Sequence, residues 1–245
     1  MHLLNVHTRK LEYFLGSSVP EYAILSHTWG PHEANGRWPR TVRVQTRSHE
    51  RRHLREPGHA KIDNCCHRAK QDGLDYVWVD TCCIDKRSSA ELSEAINSMF
   101  SWYAKAAVCY VYLVDVHPSR QLQEVKCSRW FARGWTLQEL IAPQCLAVFD
   151  VGWNFIGPRL TALLAHSSGI PLEFLWDEDF WHASVAQRLS WACNRETTRK
   201  EDIAYCLLGI FRVSMPLLYG EGSKAFERLQ KEIINISSDQ TIFAF

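Results

Sequence analysis

Apolar positions come in two textures along this chain: short continuous runs, and longer stretches with helical spacing. In "YAILSHTWG", the run Tyr22 to Leu25 predicts a buried strand, and Trp29-Gly30 marks the turn at its carboxyl end. Residues 31–60 are polar, arginine-rich and without apolar period, which predicts a long irregular insertion. Ile62, Cys65, Cys66 and Ala69 then form a helical stripe that Gly73 closes. Tyr76 to Val79 predicts a second strand with Asp80 at its carboxyl end and the loop "TCCIDKR" after it. Ser88 and Glu91 match a capping box, opening a helix with Leu92, Ala95, Ile96, Met99 and Tyr103 on one face. "VCYVYLVDV" predicts a third strand ending at Asp115, "SRWFARGWTLQELI" a helix capped by Ser128, and "CLAVFD" a fourth strand.

Short strands alternating with amphipathic helices predict an α/β fold, a parallel sheet flanked by helices. Ligands in such sheets bind at the carboxyl ends of the strands, where Ser26, Asp80 and Asp115 fall. Beyond Asp150 the pattern turns helical, with Thr197 or Thr198 expected to cap "KEDIAYCLLGIF" and Gly220-Glu221-Gly222 forming a turn before a last helix. The expectation is one domain over residues 1–245, with an α/β core at 21–150 and a mainly helical extension at 151–245.

Composition narrows the function classes. A net charge of +1 gives no overall pull toward nucleic acid. Arg37 through Arg55 could meet phosphates, but only Trp38 interleaves with them, so a solvated loop is the better reading and no nucleic-acid partner is predicted. No run reaches the roughly 18 consecutive apolar residues of a membrane span. "MHLLNVHTRK" lacks the pattern of a secretory signal, so a cytoplasmic address is expected. The nine cysteines form no C-x-x-C, and their odd count and scattered spacing predict buried reduced thiols, with no disulfide framework and no metal site. There is no G-x-S-x-G elbow and no G-x-x-x-x-G-K-[ST] phosphate loop.

"YAILSHTWG", "YVWVDTCCIDK", "ELSEAINSMFSWYAKAAVCYVYLVDV", "SRWFARGWTLQELIAP" and "MPLLYGEGSKAFERLQKEI" closely resemble the fungal heterokaryon-incompatibility (HET) domain, and "MHLLNV" fits the same family. The resemblance runs over nearly the whole chain and departs from it at residues 31–60. It implies a role in fungal non-self recognition and cell death, self-association, and a NACHT-type or other sensor as partner. A more remote resemblance is to the TIR domain, which has a flavodoxin-like sheet. "RGWTLQEL" looks like the TIR "WCLxEL" helix, whose glutamate is catalytic in the TIR enzymes that cleave NAD, so the resemblance makes Glu139 the counterpart.

The chemistry is compatible with one carboxylate. The nicotinamide of NAD+ leaves as a neutral molecule and needs no general acid, unlike the leaving group of an ordinary glycoside. A single carboxylate can hold ribose hydroxyls and stabilise oxocarbenium-like charge. Glu139 is therefore the catalytic candidate, with Ser26, Trp29, Gly30, Asp80, Cys83, Arg133 and Trp135 as binding candidates and NAD+ as substrate in place of any tightly bound cofactor. Trp135 lies four residues before Glu139, on the same face of the expected helix. Arg129 and Arg133 could meet phosphates or pair with nearby acids. Trp130, Phe131, Leu137 and Ile141 read as core, and nothing assigns His27 a proton-transfer role. The alternative is a non-enzymatic death-signalling module that works by homotypic association.

Overall fold

The computed structural model describes residues 1–30, 57–120, 124–156, 160–175 and 178–244. The arginine-rich stretch through residue 56, with Trp38 and Arg37 to Arg55, lies outside the described residues. Residues 57–60, expected to belong to it, are instead the first turn of helix α1 (Pro57–Gln71). Proline suits that position, since the first helical residue has no use for its amide hydrogen.

Four parallel strands form the centre: β3 (Ala23–His27), β4 (Tyr76–Trp78), β5 (Val108–Tyr112) and β6 (Leu146–Phe149). Two further strands, β1 (His2–Asn5) and β2 (Leu11–Tyr13), form an antiparallel hairpin that the apolar pattern did not signal. The sheet order is β2-β1-β4-β3-β5-β6, with β1 antiparallel to β4. The sheet is therefore mixed, not wholly parallel. Leu3 and Leu4 explain why β1 belongs there. They point to opposite faces, and both are fully buried.

Taken in chain order, the parallel strands lie second-first-third-fourth, the order of a flavodoxin-like sheet. The order reverses at β3 and β5, whose register runs from Ala23 opposite Val108 to His27 opposite Tyr112. Connections leave in opposite directions there, so a crevice forms beyond the carboxyl ends of these two strands.

The expected "TCCIDKR" loop begins with a one-turn helix, α2 (Asp80–Cys83). Helix α3 (Ser89–Lys105) opens as expected, with Ser88 Oγ accepting from Glu91 N at 3.2 Å. The reciprocal half of the box is replaced: Glu91 Oε1 takes Asp85 N at 2.9 Å and ties down the preceding loop. The helix expected from Ser128 begins only at Thr136, as α4 (Thr136–Ile141). Residues 128–135 are irregular, mostly turns with a bridge from Arg133 to Glu196, because long-range partners capture their polar groups. Asp115 Oδ2 accepts from Arg129 N at 2.8 Å, Arg195 donates to Arg133 O at 3.0 Å, and Gly134 N donates to Glu196 O at 2.9 Å.

The helical extension contains α5 (Leu160–Ser168), α6 (Val185–Ser190), α7 (Asp202–Tyr205), α8 (Leu208–Phe211) and α9 (Lys224–Ile236). Neither Thr197 nor Thr198 caps α7. Glu201 occupies its N-cap, and Thr197 Oγ1 donates to Arg199 O at 2.6 Å. Glu201 Oε1 instead accepts from Gly220 N at 2.8 Å and Gly222 N at 3.0 Å, binding the glycine turn before α9. Helices α3 and α8 approach closely at Gly209, where a β-carbon would lie 2.0 Å from Phe100 Cβ. The fold presses this extension against the segment that carries Trp130 and Glu139.

Candidate functional site at the strand ends

Strand β3 is buried along its whole length. Its residues alternate between two sides of the sheet, so its last residues divide their partners. Ser26 faces the 128–141 segment, where its Oγ donates to Glu139 Oε2 at 2.5 Å. The same Oγ accepts from the Trp130 indole at 2.8 Å. An indole N–H can only donate, so the serine proton is directed at the carboxyl. Ser26 is 0% exposed and Glu139 7%, so both partners of this hydrogen bond are buried.

Burial pushes the Glu139 carboxyl up to about 8. The Ser26 hydrogen bond opposes that rise, the nearby Asp80 charge adds to it, and Arg133 and the Tyr103 hydroxyl oppose it. The acid is therefore mostly protonated at neutral pH, and cationic charge beside it favours the carboxylate.

His27 faces the other side, toward α1 and α2. Its Nε2 lies 3.0 Å from Asp80 Oδ1, and its Nδ1 lies 2.9 Å from Lys61 Nζ. Lys61 also donates to Thr28 O at 3.2 Å. An ammonium offers only donors, so Nδ1 accepts and Nε2 carries the proton that goes to Asp80. Trp29 Nε1 donates to the other Asp80 oxygen at 2.7 Å, and Lys86 Nζ lies 3.5 Å above the Trp29 ring. Burial raises the Asp80 carboxyl, but His27, Lys86 and Trp29 together outweigh it and hold the group at about 2. Two acids thus sit near the strand ends in opposite states, Asp80 firmly ionised and Glu139 keeping its proton up to about pH 8.

Comparison with known proteins supplies a family. The sequence profile described as "Heterokaryon incompatibility protein (HET)" matches residues 22–126. The vegetative incompatibility protein HET-E-1 of Podospora anserina is 47% identical over 227 residues, which cover 88% of this chain. The chain belongs to the HET family. It spans 16% of that relative's length. No solved structure matches it.

In this HET domain the structure brings together Glu139, Ser26, Trp29 and Asp80, with Arg133 close enough for its charge to act on Glu139. Gly30 follows Trp29 at the end of the described segment. Cys83 is buried, with its thiol against Val77 O and Val79 N, and belongs to the β4–α2 packing. The two tryptophans exchange their expected roles. Trp130, expected only as core, holds Ser26 and through it Glu139. Trp135, expected beside Glu139, turns its indole to Asp202 Oδ2 at 3.3 Å, which also accepts from Tyr219 on its other oxygen at 3.0 Å. Asp115 accepts from Ser128 Oγ at 2.7 Å and from Arg129 N, so it anchors the segment that delivers Trp130.

Lys61 was missed, and helix α1 supplies it from one turn past its start; nothing in its sequence surroundings distinguishes it from a surface lysine. Arg195 was also missed. It donates to Arg133 O and Thr136 Oγ1, both at 3.0 Å, and so fixes the entry to α4. Among the described residues no three His, Cys, Asp or Glu side chains converge into a metal site. Nor is any described helix long and apolar enough to cross a membrane.

Proposed function

We propose that this HET domain is a cell-death effector of fungal heterokaryon incompatibility, and that it acts by cleaving NAD+ at the nicotinamide–ribose bond when self-associated. The observation that carries the chemistry is the Trp130–Ser26–Glu139 chain of hydrogen bonds at the reversal point of the sheet. It fixes one buried carboxyl where an α/β sheet of this order takes its ligands. The relative's printed name supports the biological role, and the remote TIR resemblance supports the reaction.

The pyridinium ring of NAD+ entering beside Glu139 favours loss of its proton, so binding generates the carboxylate that the reaction uses. The C1′–N bond breaks with its electron pair retained by the ring nitrogen, and nicotinamide leaves neutral. Positive charge spreads over C1′ and the ribose ring oxygen, where the Glu139 carboxylate stabilises it. Water adds at C1′ and gives its proton to Glu139, leaving ADP-ribose. A carboxyl near neutral pKa suits that last transfer. Self-association and control by a sensor module belong to the same proposal, since this domain is a small part of the relative it resembles.

The test is nicotinamide release from NAD+ by protein clustered on a multivalent scaffold. Wild type is expected to consume NAD+, and Glu139→Gln to abolish consumption. Wild-type protein that leaves NAD+ intact, or a Glu139→Gln variant of undiminished rate, would overturn the enzymatic reading in favour of a non-enzymatic association module.

A further inference from the structure

The alternation that divides Ser26 from His27 continues one step past the end of β3. Thr28 returns to the side of the 128–141 segment, and its Oγ1 accepts from Arg129 Nε at 3.1 Å. Thr28 lies two residues beyond Ser26, about 7 Å farther toward the open end of the sheet. That is of the order of the span of a ribose. Arg129 is fixed at both ends. Its amide donates to Asp115 Oδ2, Ser128 Oγ braces the other Asp115 oxygen, and Thr28 holds its Nε. The side chain is otherwise exposed, and among the described residues no carboxylate pairs with its guanidinium. With Nε held by Thr28 and the residue exposed, its two terminal nitrogens are left for the paired hydrogen bonds that suit phosphate oxygens. Arg133 is arranged differently. Its backbone forms a parallel bridge with Glu196, and its charge acts on Glu139.

We propose that Arg129 recognises the phosphate carried on the 5′ carbon of the ribose whose C1′ faces Glu139. The inference rests on the NAD-cleaving reading and deepens it: the substrate class is phosphorylated pyridinium ribosides, dinucleotides included, in preference to the free riboside. Arg129 binds and selects; Glu139 performs the chemistry.

The experiment compares NAD+, nicotinamide mononucleotide and nicotinamide riboside as substrates of clustered wild type, Arg129→Ala and Arg129→Lys. Loss of one or two charge-assisted hydrogen bonds corresponds to roughly ten- to hundredfold. The ratio of kcat/KM for NAD+ to that for the riboside is expected to fall by that factor in Arg129→Ala, mainly through KM. The mononucleotide should follow NAD+, and Arg129→Lys should fall between. An unchanged ratio would overturn the inference. Calorimetric binding of ADP-ribose decides it independently of turnover: wild type binds, more weakly at high salt, and Arg129→Ala weakens binding by a similar factor. Wild type that fails to bind ADP-ribose, or a variant that binds it equally well, overturns the role of Arg129. Protein that binds ADP-ribose through Arg129 but hydrolyses no NAD+ defeats the catalytic reading alone. The Asp115–Ser128 anchor does not involve the arginine side chain, so Arg129→Ala should keep the wild-type Tm. Thr28→Val, which only releases Nε, should shift the substrate ratio in the same direction by less.

Discussion

Glu139→Gln tests the burial of the acid separately from any activity. The amide matches the protonated acid in shape and keeps an oxygen for Ser26 to donate to. Burial raises this carboxyl from 4.5 to about 8 in the folded chain. The folded state therefore holds a proton that the unfolded state has lost over that interval. Stability from this group is fully present below the unfolded pKa and is lost as pH rises through the folded one. At ~1.36 kcal/mol per pKa unit, the full span is about 5 kcal/mol. Integrated between about pH 5.5 and about pH 8.5, the loss is about 3 kcal/mol. For a chain of this size that corresponds to a fall in Tm of roughly 6–12 °C. The variant has no such proton. Wild-type stability minus variant stability should thus fall by about 3 kcal/mol across the range, measured by urea unfolding at each pH. Asp80 does not blur the result, since its contribution is present above 3.8 and is lost only as pH falls toward about 2. A difference that stays flat within about 1 kcal/mol, or that rises with pH, would refute the buried, proton-holding carboxyl.

Several other perturbations read the same geometry. The kcat/KM for NAD+ cleavage should rise with pH up to about 8 and level off above it, because free Glu139 must lose its proton; a pH–rate profile of wild type checks this. Ser26→Ala removes the hydrogen bond that lowers the Glu139 pKa, so the same profile should move to higher pH, with about 1–3 kcal/mol lost in urea unfolding as Trp130 Nε1 loses its acceptor. Trp130→Phe should shift the profile in the same direction, while Trp135→Phe, whose indole serves Asp202, should leave the pH midpoint in place. Gly209→Ala forces a methyl into Phe100 and should cost at least about 1–3 kcal/mol in denaturation, with α3 and α8 pushed apart.

The parallel core was legible because each of its elements announces itself locally. The runs around Ala23, Val77, Val108 and Val148 are short, apolar and separated by helical stripes or caps such as Ser88. The β1–β2 hairpin was not legible. It consists of strands of four and three residues, and Leu3-Leu4 shows no alternation because both sides of β1 are covered. The helix starting at Ser128 failed for a related reason. Residues 128–135 carry an acceptable helical pattern, but Asp115, Arg195 and Glu196 offer their polar groups distant partners, and those partners win. Asp80 could be placed near the site from its position at a strand end, and Glu139 from the resemblance of "RGWTLQEL" to the TIR helix. The tryptophan that holds Glu139 could not be chosen from spacing, since four residues of separation fixes a helical face only where a helix exists. Lys61 was invisible for the same reason, because its meaning comes from His27 Nδ1 in a different element.

The bracing of residues 130–136 by the chain around Arg195 and Glu196 sets the boundary of any usable fragment. Among the described residues every strand of the sheet is complete by Phe149, so a fragment cut there would still contain those six strands and both acids. It would lack Arg195 on the Thr136 hydroxyl, Glu196 on the Gly134 amide and Asp202 on the Trp135 indole. The matched family segment, residues 22–126, ends before Glu139 as well. A fragment that ends between α6 and Arg195 would lose every one of these braces while keeping the sheet.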